Sequence, residues 1–128
     1  MEIYKIQIRS KLEYCVPAWN SSLTEDDKTE IEIMQKTALK IIYGEKYEDY
    51  ESSLEMCQLE TLEKRRTGLC LKFAQQCTQN EIHKKLFKLN QNRNLHYPTK
   101  YEIPFCRLDR YRNSPIPYLI SLLNQEDN

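Results

Sequence analysis

A chain of 128 residues with 19 Lys and Arg against 19 Asp and Glu is one domain's worth of protein without net charge, which excludes a uniformly polycationic nucleic-acid binder and a uniformly acidic chain alike. A mean hydropathy of −0.75 and the lack of an apolar run of membrane length exclude a spanning segment; with Glu2 directly after Met1 in place of a basic and then apolar leader, the expectation is an intracellular protein, cytoplasmic or nuclear. Five cysteines, an odd number without framework spacing, predict reduced thiols, and only two glycines among many long charged residues favour helices over a sheet.

In chain order, the first predicted element is a helix over 2–15. Tyr4, Ile6 and Ile8 alternate as in a strand, but Tyr4, Ile8 and Leu12 step by four, and Ile8, Leu12 and Cys15 fall on one helical face. Pro17 is expected to break this helix, since it lacks a donor and disfavours helical geometry at Val16. Trp19 then sits at a corner, and Leu12, Tyr14, Pro17 and Trp19 are the expected structural anchors of the joint. The second helix, 24–43, has Thr24 as cap with Asp27 three residues on. Glu25, Asp26 and Asp27 lie where the helix dipole favours them, and Gly44 ends the helix. Its apolar stripe is Ile31, Met34, Ala38, Ile41 and Ile42.

A short helix over 47–57 follows, anchored by Leu54, and Thr61 caps a longer one over 61–80. The stripe of that helix is Leu62, Leu69, Phe73 and Cys77, flanked by Cys70 and Ala74. A brief helical piece is expected over 81–87. The stretch 88–113 is loop-rich, marked by Asn90, Asn92, Asn94 and Pro98, with Tyr101, Ile103 and Phe105 alternating as a short extended segment. Ser114 and Pro115 open a last helix, 114–124, with Ile116, Leu119, Ile120 and Leu123 on its apolar face. The expected fold class is all-α: a single module, a small bundle of about five helices with a short extended segment before the last.

The zero net charge hides an asymmetry. Up to Glu63 there are seven cations against fourteen carboxylates, and from Lys64 onward twelve against five. Such halves either clasp each other or leave the basic one for a polyanion. The candidate phosphate contacts are Lys64, Arg65 and Arg66 at the start of the fourth helix, Lys84 and Lys85 beside His83 and Lys88, and Arg107, Arg110 and Arg112 interleaved with Tyr101, Phe105 and Tyr111. Basic residues neutralise phosphates while exposed aromatics stack on unpaired bases. Ion pairing of Arg110 and Arg112 to Glu102 or to the acidic half is the alternative.

Enzymatic signatures are missing. Cys57, Cys70, Cys77 and His83 are separated by twelve, six and five residues, unlike the short spacing of zinc ligands, so a buried helix face is the better account of Cys70 and Cys77. His83 and His96 have no nucleophile motif nearby, and no glycine-rich loop is available for phosphate. No catalytic residue and no metal ligand is expected.

The pattern I-R-S-x-L-E-Y-C-x-P-x-W-N over 8–20, then I-x-x-M-Q-x-x-A-L-x-I-I-x-G over 31–44, resembles the region just after the polymerase core in LINE-type, non-LTR, jockey-like retrotransposon reverse transcriptases. Further blocks in the same order are Y-E-D-Y-E-S-S-L (47–54), L-E-T-L-E-K-R-R (59–66), L-K-F-A (71–74) and R-Y-R-N-S-P-I-P-Y-L (110–119). The resemblance implies a helical region flanking the thumb, cut from an RNA-directed DNA polymerase whose paired aspartates would hold Mg ions. The Asp-Asp pair here, Asp26 and Asp27, follows Glu25 at a predicted helix start and reads as capping, so the catalytic palm and the endonuclease are expected to be absent. The chain is then no enzyme on its own and has no cofactor of its own. Its expected partners are RNA or an RNA–DNA hybrid, the missing polymerase core, or a second copy of itself, with Met1 falling inside a longer element of the parent. The alternative is a non-enzymatic helical protein-interaction or structural module, with Trp19, the tyrosines and the apolar stripes forming one core plus a docking face.

Overall fold

A computed structural model describes residues 1–91 and 99–126. The fold is all-α, and among the described residues extended pairing is confined to one antiparallel bridge, Leu89 with Tyr101. Two compact units divide the chain: Met1–Val16 with Leu23–Gly68, and Pro17–Ser22 with Leu69–Asn128.

Unit 1 opens with a π-helical stretch, Tyr4–Arg9, that passes into the short helix α1 (Ser10–Leu12). The expected continuous helix over 2–15 therefore stops three residues early. Cys15 takes a positive φ of 52°, a left-handed conformation that a helix cannot propagate through. Pro17 is consequently not the breaker. It occupies the first turn of α2 (Val16–Trp19), where its missing N–H costs nothing. The anchors read from this joint shift as well: Tyr14 is 75% exposed and Leu12, Pro17 and Trp19 are half-buried, while Val16 and Asn20 are the buried residues.

Helix α3 (Glu25–Tyr43) starts as expected. Thr24 Oγ1 accepts from Asp27 N at 3.2 Å and the Asp27 carboxylate accepts from Thr24 N at 2.9 Å, a reciprocal capping box. The Thr24 hydroxyl, which donates to Asp27 Oδ2 at 2.7 Å, and then the Thr24 N–H hold the Asp27 carboxyl below the usual carboxylate range. Gly44 ends the helix with φ +54° and ψ −123°, a region reserved for glycine. The buried face is the surprise. Gln35, Ala38 and Leu39 are buried, whereas Met34, Ile41 and Ile42 of the expected stripe are exposed. At 3.6 residues per turn this turns the packed face by roughly 70°.

Gln35 accounts for the rotation because its amide is bonded at both ends. Tyr4 OH donates to its Oε1 at 2.5 Å, and its Nε2 donates to Tyr50 OH at 2.9 Å and to the Glu60 carbonyl at 3.0 Å. Tyr50 OH in turn donates to Glu32. The Glu32 carboxylate accepts the backbone N–H groups of Leu62 and Glu63 at 3.1 and 3.3 Å. A satisfied polar network thus occupies the place expected for Ile41 and Met34.

Asp49, whose carboxylate accepts from Ser52 N at 2.8 Å, caps α4 (Tyr50–Cys57), so the helix begins three residues later than expected and a 3₁₀ turn, Gly44–Lys46, precedes it. Thr61 caps α5 (Leu62–Gln79) as expected, its Oγ1 accepting from Lys64 N at 3.3 Å. The buried line along α5 is Leu62, Arg66, Cys70, Ala74 and Cys77, while Phe73 is largely exposed.

In unit 2, Asn20 in the 3₁₀ turn Asn20–Ser22 donates to Tyr118 OH at 2.9 Å. Asn80 Oδ1 accepts from Ile82 N and His83 N, which tightens the expected helical piece into a 3₁₀ turn, His83–Leu86. The extended segment is then built in two ways. Asn90 N donates to the Lys100 carbonyl at 2.9 Å and Glu102 N to the Lys88 carbonyl at 2.8 Å. Asn124, in the last helix, bonds both backbone groups of Tyr101, at 2.9 and 3.0 Å. A short helix inside the expected loop, α6 (Asp109–Arg112), leads to α7 (Pro115–Glu126), where Leu119, Ile120 and Leu123 form the apolar face as expected. Asn92, Asn94, His96 and Pro98 lie outside the described residues.

Candidate nucleic-acid interface

The cations of the two units have different surroundings. Unit 1 holds ten Lys and Arg against fourteen Asp and Glu, net −4, and unit 2 holds nine against five, net +4. In unit 1 two of the three cations at the start of α5, Arg65 and Arg66, are taken up internally. Arg65 closes a fork onto Glu13, with Nη2 to Oε2 at 3.1 Å, and Arg9 approaches the same carboxylate at 3.5 Å. The Glu13 carboxylate raises the Arg65 guanidinium above its ordinary value. Arg66 is 2% exposed, so a phosphate at the protein surface does not reach it. Lys64 is exposed but sits 3.1 Å from Glu60.

Unit 2 leaves its described cations at the surface. Lys84, Lys85 and Lys88 are exposed on and just after the His83–Leu86 turn, and Arg107, Arg110 and Arg112 are exposed around α6. Two of these carry local pairs one helical turn away: Lys84 with Glu81 at 2.6 Å and Arg112 with Asp109 at 2.9 Å. Exposed pairs of this kind contribute little and give way readily to a phosphate. The aromatic residues divide. Tyr101 is buried, edge-on to Phe87 with ring centres 6.4 Å apart, whereas Phe105 is 89% exposed and Tyr111 is 42% exposed.

Three cavities border the extended segment 101–105. The largest, about 790 Å³, is walled by Phe87, Tyr101 and Leu89, with Lys84, Lys85 and Lys88 along it. A second, about 310 Å³, shares Lys85, Lys88 and Glu102 with the first and adds Tyr111 and Pro104. The third, about 560 Å³, shares Pro104 with the second and is lined by Phe105 and Arg112. Shared walls make them one interrupted groove with four cations and two exposed rings along its length. Of the sequence-derived candidates, Lys84, Lys85 and Arg112 are brought to this groove; Arg107 and Arg110 stay exposed near it in sequence, and the triplet 64–66 belongs to unit 1. Sequence reasoning offered Glu102 only as an ion-pair partner for Arg110 or Arg112, and the Asn124 clamp escaped it. Neither has a spacing signal, because both act through a long-range backbone pairing.

For metal chemistry, no group of three or more His, Cys, Asp or Glu among the described residues is arranged to hold an ion. Cys70 and Cys77 are buried on α5, Cys57 is half-buried, His83 is exposed, and all five cysteines are free thiols. Burial pushes the Cys77 thiol up. Asp26 and Asp27 both lie in the first turn of α3, and Asp27 is a member of the capping box. No helix among the described residues is long and apolar enough to cross a membrane. Searches of known protein families, curated proteins and solved structures find no match to this chain.

Proposed function

We propose that the chain is a non-catalytic helical nucleic-acid-binding module, derived from the region after the polymerase core of a LINE-type reverse transcriptase, that holds RNA or an RNA–DNA hybrid through unit 2. The observation that carries this reading is the groove along 101–105, where Lys84, Lys85, Lys88 and Arg112 meet exposed Tyr111 and Phe105. Cations in a row neutralise successive phosphates, and exposed rings offer stacking faces that a double-stranded ligand leaves unused. The family origin rests on the ordered sequence blocks. Charge reversal tests the binding: Lys85→Glu with Lys88→Glu is expected to weaken affinity for a single-stranded RNA at least tenfold at low salt, measured by fluorescence anisotropy. Equal affinity in the double variant rejects the groove as the interface.

A second reading, a protein-interaction module, has its own observation. In unit 1 Ile3 just before the π-helical stretch, Ile6 within it, and Met34 and Ile41 on α3 are exposed, with Ile41 at 78%. Large apolar side chains left exposed are the material from which association surfaces are made. Self-association would follow, so sedimentation over a wide concentration range tests it; a monomer throughout removes this reading.

A further inference from the structure

The smallest cavity of the groove has features that phosphate binding does not call for. Its lining includes the apolar residues Leu86, Ile116 and Ile120 and the aromatic Tyr111. It shares Lys85 and Lys88 with the largest cavity, together with a carboxylate, Glu102. A carboxylate repels phosphate, so its position where the two cavities join points to a ligand group that donates hydrogen bonds. Glu102 is also firmly held. Its N–H is bonded to the Lys88 carbonyl, and its neighbour Tyr101 is clamped at both backbone groups by Asn124. Among the described residues the Glu102 carboxylate has no ion pair or hydrogen bond, which leaves both oxygens as acceptors.

We propose that this 310 Å³ cavity takes one unpaired guanine of a single strand, an assignment that rests on the nucleic-acid reading above. The volume is at the small end for ligand cavities, suited to one base and too small for a base pair. Guanine is the base whose pairing edge presents two adjacent N–H donors, which match the two oxygens of one carboxylate. The ring packs among Leu86, Ile120 and Tyr111, and Lys85 and Lys88 hold the flanking phosphates. The strand continues into the 790 Å³ cavity that shares Lys85, Lys88 and Glu102.

The test compares uridine oligonucleotides of about twelve nucleotides, uniform or with one central guanosine or inosine, bound to the full chain and to Glu102→Gln and Tyr111→Ala variants. Circular dichroism verifies that the variants fold. A central guanosine is expected to tighten binding by about tenfold over uniform uridine. Inosine, which lacks the amino donor, recovers only part of that gain. Glu102→Gln abolishes the preference for guanosine over uniform uridine, and Tyr111→Ala weakens the guanosine oligonucleotide most. Wild-type affinity that ignores the central base, or a guanosine preference that survives Glu102→Gln, overturns the pocket and leaves the groove standing. Failure to bind any oligonucleotide overturns both.

Discussion

Unit 1 and unit 2 treat the same side-chain chemistry in opposite ways. In unit 1 the polar and charged groups face each other: Gln35 joins Tyr4, Tyr50 and Glu60, Glu32 receives the start of α5, and Glu13 gathers Arg9 and Arg65. In unit 2 Asn124 fixes the backbone of Tyr101, Asn20 bonds the Tyr118 hydroxyl, and the described cations are left at the surface. A basic triplet in the sequence is therefore not in itself a phosphate site. Whether a carboxylate of the same unit reaches it decides whether it supports the fold or remains for a ligand.

The sharpest way to break the contrast is to remove the centre of the unit 1 network. Glu32→Ala leaves Tyr50 OH and two N–H groups at the start of α5 without their acceptor, and is expected to cost about 3 kcal/mol by urea unfolding with no specific loss of RNA binding. Glu13→Gln, which weakens the fork to the half-buried Arg65, should cost about 1–2 kcal/mol. Gly44→Ala meets no neighbouring atom at its new Cβ, so its cost of about 1 kcal/mol reports backbone strain alone. Asp49→Ala removes the α4 cap for about 1 kcal/mol.

The smallest effect is a pH dependence carried by unit 1. Burial raises Tyr4 from 10.0 to about 12, and burial followed by the bond to Glu32 raises Tyr50 in the same direction. A phenol whose folded value is raised favours the folded state fully below about pH 10, and that contribution is lost as pH climbs from 10 toward 12. Tyr4→Phe should flatten this alkaline fall. Asp27 and Asp49 act at the other end: their carboxyls lie below the usual range, so their contribution is present above about pH 4 and fades as acid protonates them. Asp27→Asn should flatten the acid limb.

The sequence was readable where local rules decide. Thr24 with Asp27, Gly44, Thr61 and Pro115 marked the ends of α3, α5 and α7 because caps and breakers act over a few residues. The apolar face of α7 followed from spacing alone. It failed on α3, where Gln35 displaced Ile41 and Met34 from the core, since a polar side chain enters a core only when remote partners satisfy it. Cys15 failed for a related reason: nothing local announces a left-handed residue that is not glycine or asparagine. At the candidate interface, Lys84, Lys85 and Arg112 were legible as charge, but the burial of Arg66 and the fork on Arg65 depend on partners more than fifty residues apart or on packing. Glu102 was read as a partner for Arg110 or Arg112; the structure sets it in one cavity lining with Lys85 and Lys88.

The most direct measurement is the slope of log affinity against log salt for a single-stranded RNA, with the intact chain. Four cations along the groove predict a slope of about −3, falling in magnitude by roughly 0.7 for each of Lys85→Ala and Lys88→Ala and staying unchanged for Lys64→Ala. Binding that ignores salt, or a slope that Lys64→Ala alters and Lys85→Ala does not, would contradict the assignment of the interface to unit 2.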